Sequence, residues 1–214
     1  MKFDDVREQT ESIRKLGGPV QGEWLFNLVQ QAQDKTFVCE IGAYFGYLTT
    51  IMAKACEGSS KRVLTVDHMI GGNCDFQEGT DCSYFSIVDT LIENGVYDKV
   101  IPFPLKSTDA FPLFKLLEPR ISLLYLDGDH CEGNVMWELC MFERFVIKGG
   151  IICGDDCLVR NQESFNEAWN KGNDSWLIPG KDVAQAAYRF FKNNPNYEIL
   201  PDVPGNQFGF RKVD

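Results

Sequence analysis

Residues Phe37 to Tyr47 read Phe-Val-Cys-Glu-Ile-Gly-Ala-Tyr-Phe-Gly-Tyr, and no other stretch constrains the fold as much. Phe37 to Ile41 is a short, apolar, β-rich run that ends at a turn carrying Gly42 and Gly46. Apolar residues then recur at helical spacing at Leu48, Ile51, Met52 and Ala55, the mark of an amphipathic helix. Strand, glycine turn and helix together open a doubly wound α/β sheet. The glycines are spaced G-x-x-x-G rather than G-x-G-x-x-G, and Glu40 sits at the strand end.

The rest of the chain continues the alternation. Val20 to Ala32 carries Trp24, Leu25, Leu28 and Ala32 at helical spacing, a helix that either lids a ligand or packs on the sheet. Arg62 to Val66 is a second strand ending in Asp67. Met69 to Cys82, with Gly71-Gly72-Asn73 and Gly79, is a polar loop and a candidate substrate rim. A helix over Ser83 to Asn94 is expected to bury Phe85, Val88, Leu91 and Ile92. Pro102 and Pro104 interrupt the third strand, Val100 to Leu105, and suit an edge position. Ser107 either caps the next helix or faces a ligand, and Phe111, Phe114 and Leu117 would be that helix's inner face. Ile121 to Leu126 is a continuous apolar run, as in a central parallel strand. It leads into Asp127-Gly128-Asp129-His130. A helix through Val135, Leu139, Phe142 and Val146 is expected to stop at Lys148-Gly149-Gly150. Ile151 to Cys153 is a fifth strand, ending in Gly154-Asp155-Asp156. Val183, Ala187, Phe190 and Phe191 mark a last helix, before strands at Tyr197 to Leu200 and Gln207 to Arg211. The expectation is one α/β domain over residues 1–214, with residues 1–34 as an N-terminal helical extension.

The acids carry the chemistry. A carboxylate beside a glycine turn is a poor neighbour for pyrophosphate, but it suits the sulfonium and ammonium of S-adenosylmethionine (SAM). Asp67 lies about 20 residues past the turn, where a ribose-binding carboxylate belongs; NAD would use the same device. In a sheet ordered 3-2-1-4-5, Asp127 and the Asp155-Asp156 pair end adjacent strands. Like charges that close repel unless a proton or cation intervenes. An all-oxygen set favours Mg²⁺ or Ca²⁺; the alternative is that Asp155 and Asp156 cap a helix. His130 is either a general base or the group that orients a neighbouring Asp. His68, beside Asp67, is structural or lies on the adenosine rim.

A net charge of −10 excludes the nucleic-acid backbone as main partner. No apolar run approaches membrane-spanning length, and the polar start from Met1 to Lys15 is not a signal peptide. The eight cysteines include no CxxC pair, which suits reduced thiols and a cytoplasmic protein. Homo-oligomerisation is left open.

E-x-G-x-x-x-G at Glu40 to Gly46 resembles the first motif of class I SAM-dependent methyltransferases. L-D-G-D-H, followed by K-G-G-I-I-C-G-D-D, is similar to the metal-dependent O-methyltransferases of the macrocin, novobiocin and cephalosporin type, the methyltransferase 24-like group. The resemblance runs from Phe37 to Asp156, with an echo from Asp182 to Phe191. It implies a single-domain Rossmann-like sheet of seven strands, order 3-2-1-4-5-7-6, mostly parallel with an antiparallel C-terminal strand. It implies SAM at Glu40, Gly42, Gly46, Asp67, Ser107 and Asp127, and a metal at Asp127, Asp155 and Asp156. His130 or Asp127 would be the base, and the acceptor a hydroxyl of a small molecule such as a sugar or diol. Two positions depart from the pattern: Glu132 stands where an aromatic is common, and Asp156 where catechol-type relatives carry Asn. The rival functions are an NAD-dependent oxidoreductase and a non-catalytic SAM-binding protein.

Overall fold

Gly42 and Gly46 take φ of 94° and 82°, a region that side chains penalise, and this lets β1 (Phe37–Ile41) turn straight into a helix. The computed structural model describes residues 1–70, 84–157, 169 and 182–214. Most of the expected substrate rim, 71–82, lies outside them. Seven strands form a sheet in the order β3-β2-β1-β4-β5-β7-β6, the order expected. The chain divides into two compact units, Met1–Pro119 and Arg120–Asp214.

In the first unit, α1 (Phe3–Thr10) and α2 (Pro19–Gln31) precede β1. They are followed by α3 (Tyr47–Ala55), β2 (Arg62–Asp67), α4 (Tyr84–Glu93), β3 (Val100–Pro104) and α5 (Ser107–Leu117). β1 pairs in parallel with β2, and β2 with β3, so the proline-bearing β3 is an edge. Val38, Cys39, Ile51, Met52 and Val66 are fully or almost fully buried. Lys61 is only 4% exposed, and its Nζ donates to the carbonyls of Val29 (2.6 Å), Gln30 (3.4 Å) and Ala32 (3.2 Å). A cation thus satisfies the last carbonyls of α2, where the helix dipole is negative. Lys61→Met is expected to destabilise the protein by about 1.5–3 kcal/mol, as for a hydrogen bond to a charged group. Urea unfolding checks this, and an unchanged midpoint would mean that the cap contributes nothing.

Three expectations need correction here. On α4, Ile87 and Leu91 are buried while Phe85 and Ile92 stand 74% and 56% exposed. Ser86, Asp89, Thr90 and Glu93 make one polar face, and the apolar arc opposite is wide enough that packing decides which part of it is buried. On α5, Ala110 and Phe114 are buried and Leu117 is exposed. Ser107 is the first residue of α5 rather than its cap; Lys106 holds the cap position, with no side-chain cap bond.

In the second unit, β4 (Ile121–Leu126) is buried throughout, as its continuous apolar run demands. α6 (Glu132–Phe142) closes in a 3-10 turn at Glu143–Phe145, and β5 (Val146–Gly154) starts at once. The Lys148-Gly149-Gly150 stop therefore lies inside a strand. The register slips there, with Ile121 opposite Val146 but Leu123 opposite Ile151. Gly149 takes φ 79°, and a Cβ on Gly150 would sit 2.8 Å from the Ile147 carbonyl. The glycines make a bulge, not a helix end. Beyond α7 (Asp182–Phe191), β6 (Tyr197–Ile199) and β7 (Phe208–Lys212) pair antiparallel, and β7 runs antiparallel to β5. Phe191 stacks on Phe210 at 3.9 Å, and Trp169 packs edge-on against Phe210 at 5.1 Å.

Candidate active site

Two constellations gather the predicted residues. In the first unit Asp67, at the end of β2, reaches back to the glycine turn. Its Oδ2 accepts the N–H groups of Ala43 (2.7 Å) and Tyr44 (3.2 Å), and its Oδ1 that of Met69 (2.6 Å). Tyr44 is held at φ 50°, a conformation that costs a bulky residue energy, so the carboxylate pins a strained turn. Arg14 lies over the rings of Tyr44 (5.8 Å) and Phe45 (5.1 Å), which places the segment before α2 against the same turn. His68 has a partner after all, accepting the Ile70 N–H on Nδ1 at 3.2 Å.

Glu40 has no solvent exposure. Its Oε2 accepts the hydroxyls of Thr65, at 2.7 Å, and of Thr49. The expected cation-facing carboxylate thus lies beneath the turn, braced from β2 and α3. Ser107 is half-buried at the start of α5.

In the second unit Asp127, His130 and Asp156 converge, with one ligand atom of each within 4.8 Å of the others. His130 Nδ1 lies 2.9 Å from Asp156 Oδ2, and its Nε2 3.9 Å from Asp127 Oδ1. Asp156 sits at φ 56°, which turns its carboxylate to this position. Asp155 goes elsewhere. Its Oδ1 accepts the Asp156 N–H (2.7 Å) and the side-chain amide of Gln207. Two of the three expected ligands therefore come together with the histidine, and the third is held beside them. The donor set, two carboxylates and an imidazole, fits a divalent cation.

The electrostatics follow from crowding. Burial pushes the Asp127 carboxyl up to about 7, against the His130 hydrogen bond that lowers it. Hydrogen bonds to Asp127 and Asp156 raise His130 to about 10 in spite of burial. A histidine so held keeps its proton at neutral pH and bridges the two acids as a cation. In the metal-free protein its two ring nitrogens face the two acids. Asp129 braces the start of α6, accepting the Cys131 N–H (2.8 Å) and the Asn134 amide (2.6 Å). Glu132 pairs with Arg189 of α7, which gives that departure from the family pattern a structural role.

Sequence reasoning missed three residues around this centre. Tyr125, fully buried in β4, has its hydroxyl 3.5 Å from both Asp127 Oδ2 and Gln207 Oε1. Gln207 is 2% exposed. Glu138 of α6 is 3% exposed and lines a recess with Asp129, His130 and Asp155. Glu138 was detectable in principle, as an acid among the inward positions of an apolar helix. The six described cysteines, Cys39, Cys56, Cys131, Cys140, Cys153 and Cys157, are free thiols. Among the described residues no helix is long and apolar enough to cross a membrane.

A family model described as a methyltransferase domain matches residues 39–157. No curated protein matches the sequence. Among solved structures, an O-methyltransferase from Bacillus cereus in complex with SAH is 17% identical, with a TM-score of 0.66 over 99% of this chain and 90% of that one. The O-methyltransferase TomG from Streptomyces achromogenes, involved in tomaymycin synthesis and solved with SAM, is 16% identical, with a TM-score of 0.64 over 99% and 88%. A cofactor-bound protein from MTB is 18% identical, with a TM-score of 0.66 over 98% and 88%. The family model spans more than half of the sequence: the chain belongs to the methyltransferase-domain family and has the fold that its glycine turn and acidic strand ends resembled.

Proposed function

We propose that the protein is a SAM-dependent, divalent-metal-dependent O-methyltransferase acting on a hydroxyl of a small molecule, a sugar or a diol. The observation that carries the metal reading is the convergence of Asp127, His130 and Asp156 in a chain of a methyltransferase family. An oxidoreductase reading has no comparable support. The whole chain acts as one catalytic domain with residues 1–34 as its extension, and a cytoplasmic location accords with its free thiols.

The turn from Gly42 to Gly46 would hold the cofactor by its backbone, with Glu40 beneath the turn, and Asp67 and Ser107 would contribute to the same site. Asp127, Asp155 and Asp156 would hold the cation. When bound, SAM supplies an electrophilic methyl group, and the metal supplies the Lewis acidity that lowers the acceptor's pKa. The protein's own share is positioning, by rigid strand ends, for an in-line displacement. Asp127 and His130 would be the two groups to take the acceptor's proton.

Methyl-labelled SAM offered with a panel of sugars and diols tests the reading. Label is expected in an acceptor in the presence of Mg²⁺ and not in the presence of EDTA. Transfer by the chelated protein would remove the metal from the proposal, and a protein that does not bind SAM in calorimetry would remove the cofactor.

A further inference from the structure

We propose that Gln207 is a positioning residue for the metal centre, fixing the Asp155 carboxylate from the start of the neighbouring strand β7. The inference rests on the metal reading above. Gln207 lies 52 residues from Asp155 in sequence, directly before β7, and outside the matched family region. It is 2% exposed. A buried amide is costly unless its donor and acceptor are both satisfied, so its presence at this point calls for a partner, and that partner is Asp155.

The orientation of the amide follows from its neighbours. Nε2 faces Asp155 Oδ1, and Oε1 faces the Tyr125 hydroxyl at 3.5 Å. Reversing the amide would set its oxygen against a carboxylate oxygen and its NH₂ against the hydroxyl, losing the stronger bond. Asp155 Oδ1 also takes the Asp156 N–H. Two donors on one oxygen set the plane of the carboxylate as well as its distance. The Tyr125 hydroxyl stands equally far, 3.5 Å, from Asp127 Oδ2. The amide thus holds Asp155 directly, while the Tyr125 hydroxyl, with one proton to give, donates to Gln207 Oε1 or to Asp127 Oδ2 at any moment.

The backbone leaves Gln207 little freedom to move. β5 and β7 pair up to Gly154 opposite Phe208. Past the acidic pair, the Cys157 N–H donates to the Asn206 carbonyl at 2.8 Å. The start of β7 is thus tied to β5 on either side of Asp155 and Asp156. At Gly154 the approach is so close that a Cβ would lie 2.6 Å from both the Leu126 carbonyl and the Phe208 ring. A ligand carboxylate held by an outer hydrogen bond of this kind is oriented before the cation arrives.

Mn²⁺ titration of the full chain, read by electron paramagnetic resonance, tests the assignment, with SAM affinity and the melting temperature measured on the same samples. Gln207→Met keeps the length and removes the donor; Gln207→Glu keeps the shape and sets a second carboxylate against Asp155. Each is expected to weaken Mn²⁺ binding about 10–100-fold, the usual effect of losing an outer partner of a metal ligand, with SAM affinity unchanged. A residue that only closes the β5–β7 pairing would lower the melting temperature and leave the Mn²⁺ Kd of the folded protein where it was. That result in either folded variant overturns the proposal. If one variant does not fold, the other carries the comparison, and Gln207→Asn, which withdraws the amide from reach, gives a third. Wild-type protein that takes up no Mn²⁺ would instead overturn the metal reading itself, and the role of Gln207 with it.

Discussion

Asp127→Asn is expected to abolish methyl transfer. Asp127 is shared by every arrangement open to this centre. It is close to His130, it lies in the cluster with Asp156, and its second oxygen neighbours the Tyr125 hydroxyl. An amide there keeps the shape and forfeits a charged ligand oxygen. The loss should exceed the roughly 10–100-fold that even an outer partner of a ligand costs. Asp155→Asn and Asp156→Asn should follow in the same direction. EDTA should reproduce the effect in the wild-type enzyme, with Mg²⁺ or Mn²⁺ restoring turnover. Labelled-methyl turnover, run beside calorimetry of SAM, separates the outcomes. A fully active Asp127→Asn enzyme would exclude the acidic strand ends from the chemistry.

Asp67→Ala should act on the cofactor instead. One carboxylate receives three backbone N–H groups, from Ala43, Tyr44 and Met69, so its loss frees both sides of the turn. Tyr44, at φ 50°, has most to relax. Losing hydrogen bonds to a charged group should weaken SAM by about 1.5–3 kcal/mol, or roughly 10–150-fold. Asp67→Asn should fall between, since its amide oxygen still accepts from one side. Calorimetry giving wild-type SAM affinity for a folded Asp67→Ala protein would move the cofactor away from this turn.

Together these tests separate two jobs that the acids perform. Asp67 and Glu40 lie at one turn, Asp67 accepting backbone N–H groups on both oxygens and Glu40 two threonine hydroxyls on its Oε2. Asp127 and Asp156 crowd round one histidine, and burial, with the neighbouring carboxylates behind it, raises Asp127. The first kind of acid is stabilised by what surrounds it, and the second needs a positive partner.

What the sequence by itself determined is local. The β-rich run before Gly42, the helical spacing after Gly46, the all-apolar β4 and the prolines of β3 are each decided by a few neighbouring residues. The backbone rules that act there, on glycine φ, on proline's missing donor and on side-chain period, reach no further than a turn or a strand. The acidic strand ends were legible for the same reason. The tertiary structure alone decided which of those acids meet. His130 joins Asp127 and Asp156 because Asp156 adopts a left-handed turn, while Asp155 is drawn to Gln207 across 52 residues of chain. Thr49 and Thr65 take up Glu40 from two different elements, and Gly149-Gly150 becomes a bulge because β4 lies opposite it. The buried faces of α4 and α5 belong with these, since a wide apolar arc is oriented by what it packs against. A hydrogen bond or a packed face between residues distant in sequence is set by the fold's geometry, and the pattern of either partner alone does not contain it.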